Sequence, residues 1–205
     1  IFFISFCLSA NIETYNISFE RHVIEKKRVL DSYSGNLFSS NGFLFVDIKA
    51  PIRQYFIIQD SKTVLYYPDE KRGVSLLNNS FPVIPFYHAL LAFALEDFGL
   101  SEQGYTLDST IVDSTEKIIT AYWSPQKNLL KHSQKTVITI KNNIIIKVES
   151  FDSLGNVFSA INFSKFITLQ NHLLPTKIVF EEINTRKTLI QEEIIFTEVL
   201  INEPL

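Results

Sequence analysis

The 205-residue sequence contains no methionine, one cysteine, one tryptophan and only six glycines. With no methionine, the initiating residue is missing, which predicts an N-terminus from which something has been removed. The lone cysteine, Cys7, cannot close an intramolecular disulfide, and this fits either side of a redox boundary. No apolar run reaches the roughly 18–20 residues that a bilayer-spanning helix needs. Positive charge is also sparse. The net charge is -3 and no basic stripe is present. A protein that neutralises nucleic-acid phosphates needs a dense positive face, so no nucleic-acid partner is predicted. The short run Glu25 to Arg28 reads as a solvated strand end.

Reactive chemistry is equally scarce. His22, His88, His132 and His172 are far apart and form no His-x-x-x-His or Cys/His spacing, so no metal site is predicted. No Gly-x-Ser-x-Gly elbow occurs, and the glycines make no phosphate-cradling loop. Glu181–Glu182 and Glu192–Glu193 are adjacent carboxylates. On a strand, neighbours point to opposite faces, so neither pair can act jointly on one bond. An enzyme is not indicated, and no cofactor is expected.

What the sequence has is apolar bulk. It is 46% hydrophobic, with 18 Phe and 8 Tyr, enough for one sizeable core. Residues 1–10 read either as a signal-peptide remnant or as an N-terminal helix, and residues 11–205 as a single domain. Strand signals dominate from Ile17 onward. Ile17 to Leu30 reads as one strand. Gly35 to Lys49 reads as a strand or hairpin with a turn at Ser39 to Gly42. Arg53 to Gln59 and Lys62 to Tyr67 form a hairpin around Asp60 and Ser61, and Val74 to Leu77 is a short strand.

A helix is predicted from Pro85 to Phe98, stopped by Gly99. Its polar residues are His88, Glu96 and Asp97 alone, so it must be covered on several sides. Strands resume at Tyr105 to Ser109, Ile111 to Asp113, Lys117 to Trp123, Lys135 to Lys141, Ile144 to Phe151, Val157 to Thr168, Thr176 to Asn184 and Thr188 to Ile201. Turns are expected at Asn142–Asn143, at Asp152 to Asn156 and at Asn184–Thr185. The sum is a mainly β chain, an antiparallel barrel or strongly curved sheet with one helical interruption. Alternation puts Leu44, Val46 and Ile48 on one face and Phe43, Phe45 and Asp47 on the other. A sheet wet on one side would alternate more cleanly, so something must cover the second face.

The order of segments resembles the LolA-like family of periplasmic outer-membrane lipoprotein carriers. The matching residues are Ser18–Phe19, Ser34–Gly35, Ile48 to Pro51, Leu65 to Asp69, Asp152 to Gly155, Leu174–Pro175 and Phe196 to Pro204. The resemblance covers about Asn16 to the end. It implies an incomplete β-barrel with an N-terminal helix and an apolar helical lid over a hydrophobic cavity for acyl chains. It further implies a monomer in the periplasm that takes acylated lipoproteins from an inner-membrane transporter to an outer-membrane acceptor, without catalysis; the alternatives on the same fold are a periplasmic lipid-binding sensor or interaction module and a lipid-processing enzyme. In that picture Leu44, Val46, Ile48, Tyr55, Ile57 and Trp123 would wall the cavity. Phe86, Leu90, Leu91, Phe93 and Leu95 would form the lid. Family members often carry an Arg directly before the strand-ending proline. Here that residue is Ala50, with Lys49 and Arg53 as the nearby cations available for transfer.

Overall fold

The computed structural model describes residues 12–40, 43–59, 62–77, 85–95, 97–126, 135–183 and 188–202. These form β1 (Thr14–Glu25), β2 (Arg28–Ser40), β3 (Phe43–Ala50), β4 (Gln54–Gln59), β5 (Lys62–Tyr67), β6 (Arg72–Leu77), α1 (Pro85–Phe93), β7 (Tyr105–Asp113), β8 (Ile118–Pro125), β9 (Lys135–Lys141), β10 (Ile144–Phe151), β11 (Val157–Leu169), β12 (His172–Ile183) and β13 (Leu189–Ile201). All thirteen strands join one sheet in the order β6-β5-β4-β3-β2-β1-β13-β12-β11-β10-β9-β8-β7. Each neighbouring pair is antiparallel and consecutive in the chain, except the central β1–β13 pair, which is antiparallel but joins the two ends. The sheet is curved but unclosed, with β6 and β7 as its edges. Residues 1–10, read as a leader or helix, and the predicted Asn184–Thr185 turn lie outside the described residues.

Among the described residues, three hairpins turn on two residues that both have positive φ: Lys26–Lys27 (48° and 65°), Asn142–Asn143 (52° and 64°) and Gln170–Asn171 (47° and 68°). Such turns match the right-handed twist of the flanking strands. Asparagine tolerates this conformation, so Asn142–Asn143 is legible in the sequence. Lysine carries no turn preference, so the sequence does not show this turn: Ile17 to Leu30 is not one strand but two, folded at Lys26–Lys27. Tyr105 to Asp113, read as two strands, is instead one strand with a register shift between Leu107 and Ser109. In the Asp152 to Asn156 turn, the Asp152 carboxylate accepts the N–H of Leu154 at 2.9 Å and of Asn156 at 2.8 Å.

The helix is shorter than predicted. It ends at Phe93, where the N–H groups of Ala94 and Leu95 donate to Leu91 and Ala92, three residues back. Beyond it, the Asp97 carboxylate accepts the N–H of Gly99 at 2.9 Å and of Ser101 at 3.1 Å. Phe98 and Gly99 both have positive φ. A short polar side chain that binds nearby backbone in this way competes with helix continuation. Apolar composition alone could not show that stop.

One face of the sheet, hereafter the inner face, carries the core. Tyr15, Ile17 and Phe19 of β1, Leu37 of β2, Leu44, Val46 and Ile48 of β3, and Ile194 and Phe196 of β13 are all buried there. The same cluster runs on through Ile178, Phe163, Val148 and Ile138 to Ala121 and Trp123 on β8. Phe86, Ala89 and Leu90 of α1 belong to it as well. A single cluster can join β3 to β8 in this way because the sheet curls around the helix.

Candidate functional site

Helix α1 lies across the inner face and touches strands on both sides of the central seam. Tyr87 packs edge-on against Tyr15, and its hydroxyl hydrogen-bonds the buried Ser39 hydroxyl of β2. The Phe86 ring centre is 4.8 Å from that of Phe19 on β1 and 6.0 Å from that of Phe196 on β13. Phe93 meets Phe163 at 5.1 Å and Phe166 at 6.0 Å, both on β11. Aromatic pairs of this kind contribute about 0.5–1.5 kcal/mol each beyond the area they bury.

The residues singled out as lid therefore fall into two groups. Phe86 and Leu90 are 1% exposed and reach into the core. Phe93 is half-buried against the β11 aromatics. Leu91 and Leu95 are exposed, and Leu95 lies past the end of the helix. Leu91 sits on the solvent side because the helix has only one face in contact with the sheet.

The residues singled out as wall also divide. Leu44, Val46, Ile48 and Trp123 line the inner face and are buried. Tyr55 and Ile57 do not join them, because they pair with Asp47 and Phe45 and so lie on the outer face. The inner positions on β4 are Phe56 and Ile58, paired with Val46 and Leu44 and packed against the core. The alternation of β4 is readable from sequence, but its register against β3 is not. A one-residue slip moves every side chain to the opposite face. The Nε1 of Trp123 is buried with no hydrogen-bond partner among the described residues, an uncommon state for a buried donor.

Neither sequence-selected cation faces inward. Lys49 donates to the Asn36 side chain at 3.1 Å on the outer face, and the Arg53 guanidinium sits 5.4 Å from the centre of the outer Tyr55 ring. The inner face carries a different cation, Arg21. It pairs across the sheet with Ile194 and Tyr33, and its guanidinium lies 4.7 Å from the Tyr33 ring centre. Glu192 holds it in a fork, Nε to Oε1 at 2.5 Å and a terminal nitrogen to Oε2 at 2.7 Å. Both side chains are only 18% exposed. The neighbouring Glu193 lies on the outer face and pairs with Lys177 at 2.8 Å. The two glutamates thus diverge as strand alternation requires. The signal that could have revealed Arg21 is its place in the run Tyr15, Ile17, Phe19, Arg21, where every second residue faces in.

Two inner-face tyrosines are strongly perturbed. Burial pushes the Tyr15 hydroxyl up to about 12, with Tyr87 adding to the shift. Burial also pushes Tyr33 up to about 12; Arg21 opposes this, while Glu192 and Asp31 reinforce it. A raised tyrosine keeps its proton more tightly in the folded chain than in the unfolded one. Its stabilisation is therefore full below the unfolded value of about 10 and is lost as pH rises towards about 12. Absorbance at 295 nm should show two tyrosines ionising late. Tyr33→Phe should flatten the loss of stability between about pH 10 and 12 in urea melts. An unchanged slope would contradict the assignment.

Among the described residues, no three His, Cys, Asp or Glu side chains gather closely enough to hold a metal ion. No described helix is long and apolar enough to cross a membrane. No family model matches the sequence, and no curated protein matches it. Solved structures do match. An outer membrane lipoprotein-sorting protein domain from Vibrio parahaemolyticus superposes with a TM-score of 0.62 at 14% identity, over 94% of this chain and 87% of that one. A LolA superfamily protein from Nitrosomonas europaea superposes with a TM-score of 0.59 at 11% identity, over 94% and 88%. The chain has a LolA-like fold. A protein from Desulfovibrio piger belonging to a family of unknown function is equally similar in shape, with a TM-score of 0.62 at 13% identity, over 95% and 88%. In this LolA-like sheet the apolar inner face packs against α1.

Proposed function

We propose that this protein is a periplasmic carrier that shelters the acyl chains of lipoproteins between its inner face and α1. In this role it moves them from the inner to the outer membrane without catalysis. The observation that carries this reading is the seating of Phe86 and Leu90. A short helix is anchored by two large apolar side chains in the centre of a curved sheet, and in this reading an acyl chain competes for that space. Transfer of an acyl chain from water gains about 0.8 kcal/mol per methylene, so roughly 14–18 carbons offer on the order of 10 kcal/mol before ordering costs. A helix that refills the same space on release lowers the net affinity, and a carrier has to let its cargo go.

The test is native mass spectrometry of protein purified from its own host, paired with titration of a fluorescent fatty acid. Co-purifying acylated peptide, together with probe binding that alters emission from Trp123, the sole tryptophan, is the expected result. Absence of both acylated cargo and probe binding would sink the carrier reading.

A further inference from the structure

The inner stripe of β1 changes character along its length. Tyr15, Ile17 and Phe19 are buried and apolar or aromatic, and then comes Arg21. Beyond it the β1–β2 hairpin leaves the core, with Val29 and Leu30 60% and 59% exposed. Arg21 thus stands where the apolar face meets water. The rise from Arg21 to Tyr15 is about 20 Å at about 3.4 Å per residue. That is the scale of one leaflet of bilayer hydrocarbon, about 15 Å as half of the roughly 30 Å core.

The contacts are continuous along this line. Arg21 lies over Tyr33, Tyr33 packs edge-on on Phe19 at 6.1 Å, and Phe19 carries Phe86 at 4.8 Å. A tail that takes the place of Phe86 on Phe19 brings its polar end to Arg21. Guanidinium suits this end because its planar fork matches the two oxygens of a carboxylate or phosphate. That fork is filled by the carboxylate of Glu192, which has the same shape as the group it would receive.

We propose that Arg21 anchors an anionic group, carboxylate or phosphate, at the polar end of an acylated ligand, and that Glu192 is the internal placeholder which that group displaces. The proposal rests on the acyl-binding reading and names the chemistry of the ligand's polar end. Arg21 supplies two parallel hydrogen bonds, and Tyr33 fixes the plane of the guanidinium. Glu192 keeps the charge paired while the site is empty, which avoids an uncompensated buried cation. On displacement, the Glu192 side chain turns to the solvent it already partly reaches.

The experiment is displacement of a fluorescent fatty acid by myristate, tetradecyl phosphate and tetradecanol, which share a tail and differ in the head. Wild type is expected to prefer the anionic heads over the alcohol by about tenfold or more, as a charge-assisted fork implies. Glu192→Gln weakens the placeholder and should tighten the anions several-fold while leaving tetradecanol unchanged. The double variant Arg21→Met/Glu192→Leu replaces the pair by apolar groups, an exchange that folds tolerate. It should bind all three tails alike, with wild-type affinity for tetradecanol. A double variant that keeps the anion preference, or a wild type that shows none, overturns the anchor. Failure of every tail to bind, the alcohol included, overturns the acyl-binding reading itself. Preference between tetradecyl phosphate and myristate tells whether phosphate or carboxylate is the natural head.

Discussion

Phe86→Ala is expected to weaken the fold and strengthen acyl-chain binding at once. The Phe86 ring is 1% exposed and sits between Phe19 and Phe196. Its truncation leaves a cavity in the core, at a typical cost of about 3–5 kcal/mol. If an acyl chain displaces the same ring, the helix competes less well after truncation. Every 1.4 kcal/mol or so removed from the competitor returns about tenfold in apparent affinity. A gain of tens to hundreds of fold for a fluorescent fatty acid is therefore expected, alongside a lower urea midpoint. Leu91→Ala on the exposed side of the same helix should change neither quantity appreciably. Weaker probe binding by Phe86→Ala would show that the helix helps to build the ligand site and does not occupy it.

Gly35→Ala is expected to be among the most damaging single-methyl additions available to this chain. Gly35 is buried in β2, opposite Phe19 on one side and Ile48 on the other. A Cβ there would stand 2.3 Å from the carbonyl oxygen of Asp47 and 3.1 Å from the Ile48 Cα, both backbone atoms. No rotamer change relieves such a clash, so β2 and β3 must part where Phe19, Ile48 and the register shift at Ser34–Gly35 meet. The cost should reach about 3 kcal/mol or more, at the upper end of overpacking effects. For a domain of this size that lowers the melting temperature by roughly 6–12 °C. Gly155→Ala is the matched control. Gly155 has φ +80°, but an added methyl carbon would meet nothing within 4 Å, so only local strain is added. A Gly35→Ala protein as stable as the Gly155→Ala protein would contradict the close approach of β2 and β3.

Much of this architecture is legible in the sequence because strand alternation and turn chemistry act over short distances. Leu44, Val46 and Ile48 share a face as their spacing requires, and Asn142–Asn143 makes the expected tight turn. The readings that fail depend on partners distant in sequence or on local competition. Tyr55 and Ile57 face outward because of the β3–β4 register, which a single strand does not encode. Lys26–Lys27 folds back although lysine carries no turn signal; the pairing of β1 with β2 holds it. The helix stops at Phe93, short of the glycine that marks its expected end, and the Asp97 hydrogen bonds fix the chain beyond it. Alternation along Tyr15, Ile17 and Phe19 marks Arg21 as the next inward position, but its pairing with Glu192, 171 residues away, is not encoded locally.

The central seam has a consequence for how the chain folds. Apart from the β1–β13 pair, every ladder joins consecutive strands, so the two flanks, β1 to β6 and β7 to β13, are each a simple meander of local contacts. The seam alone ties the flanks together within the sheet, and it does so across separations such as that of Glu13 and Asn202, 189 positions apart. Contacts so remote carry the largest loop-closure cost and set a slow folding rate. The flanks should therefore gain structure early and independently, and their joining should be the late, rate-limiting event. Until then the apolar inner face of each meander stands open, and this is the interval in which the protein is most exposed to aggregation.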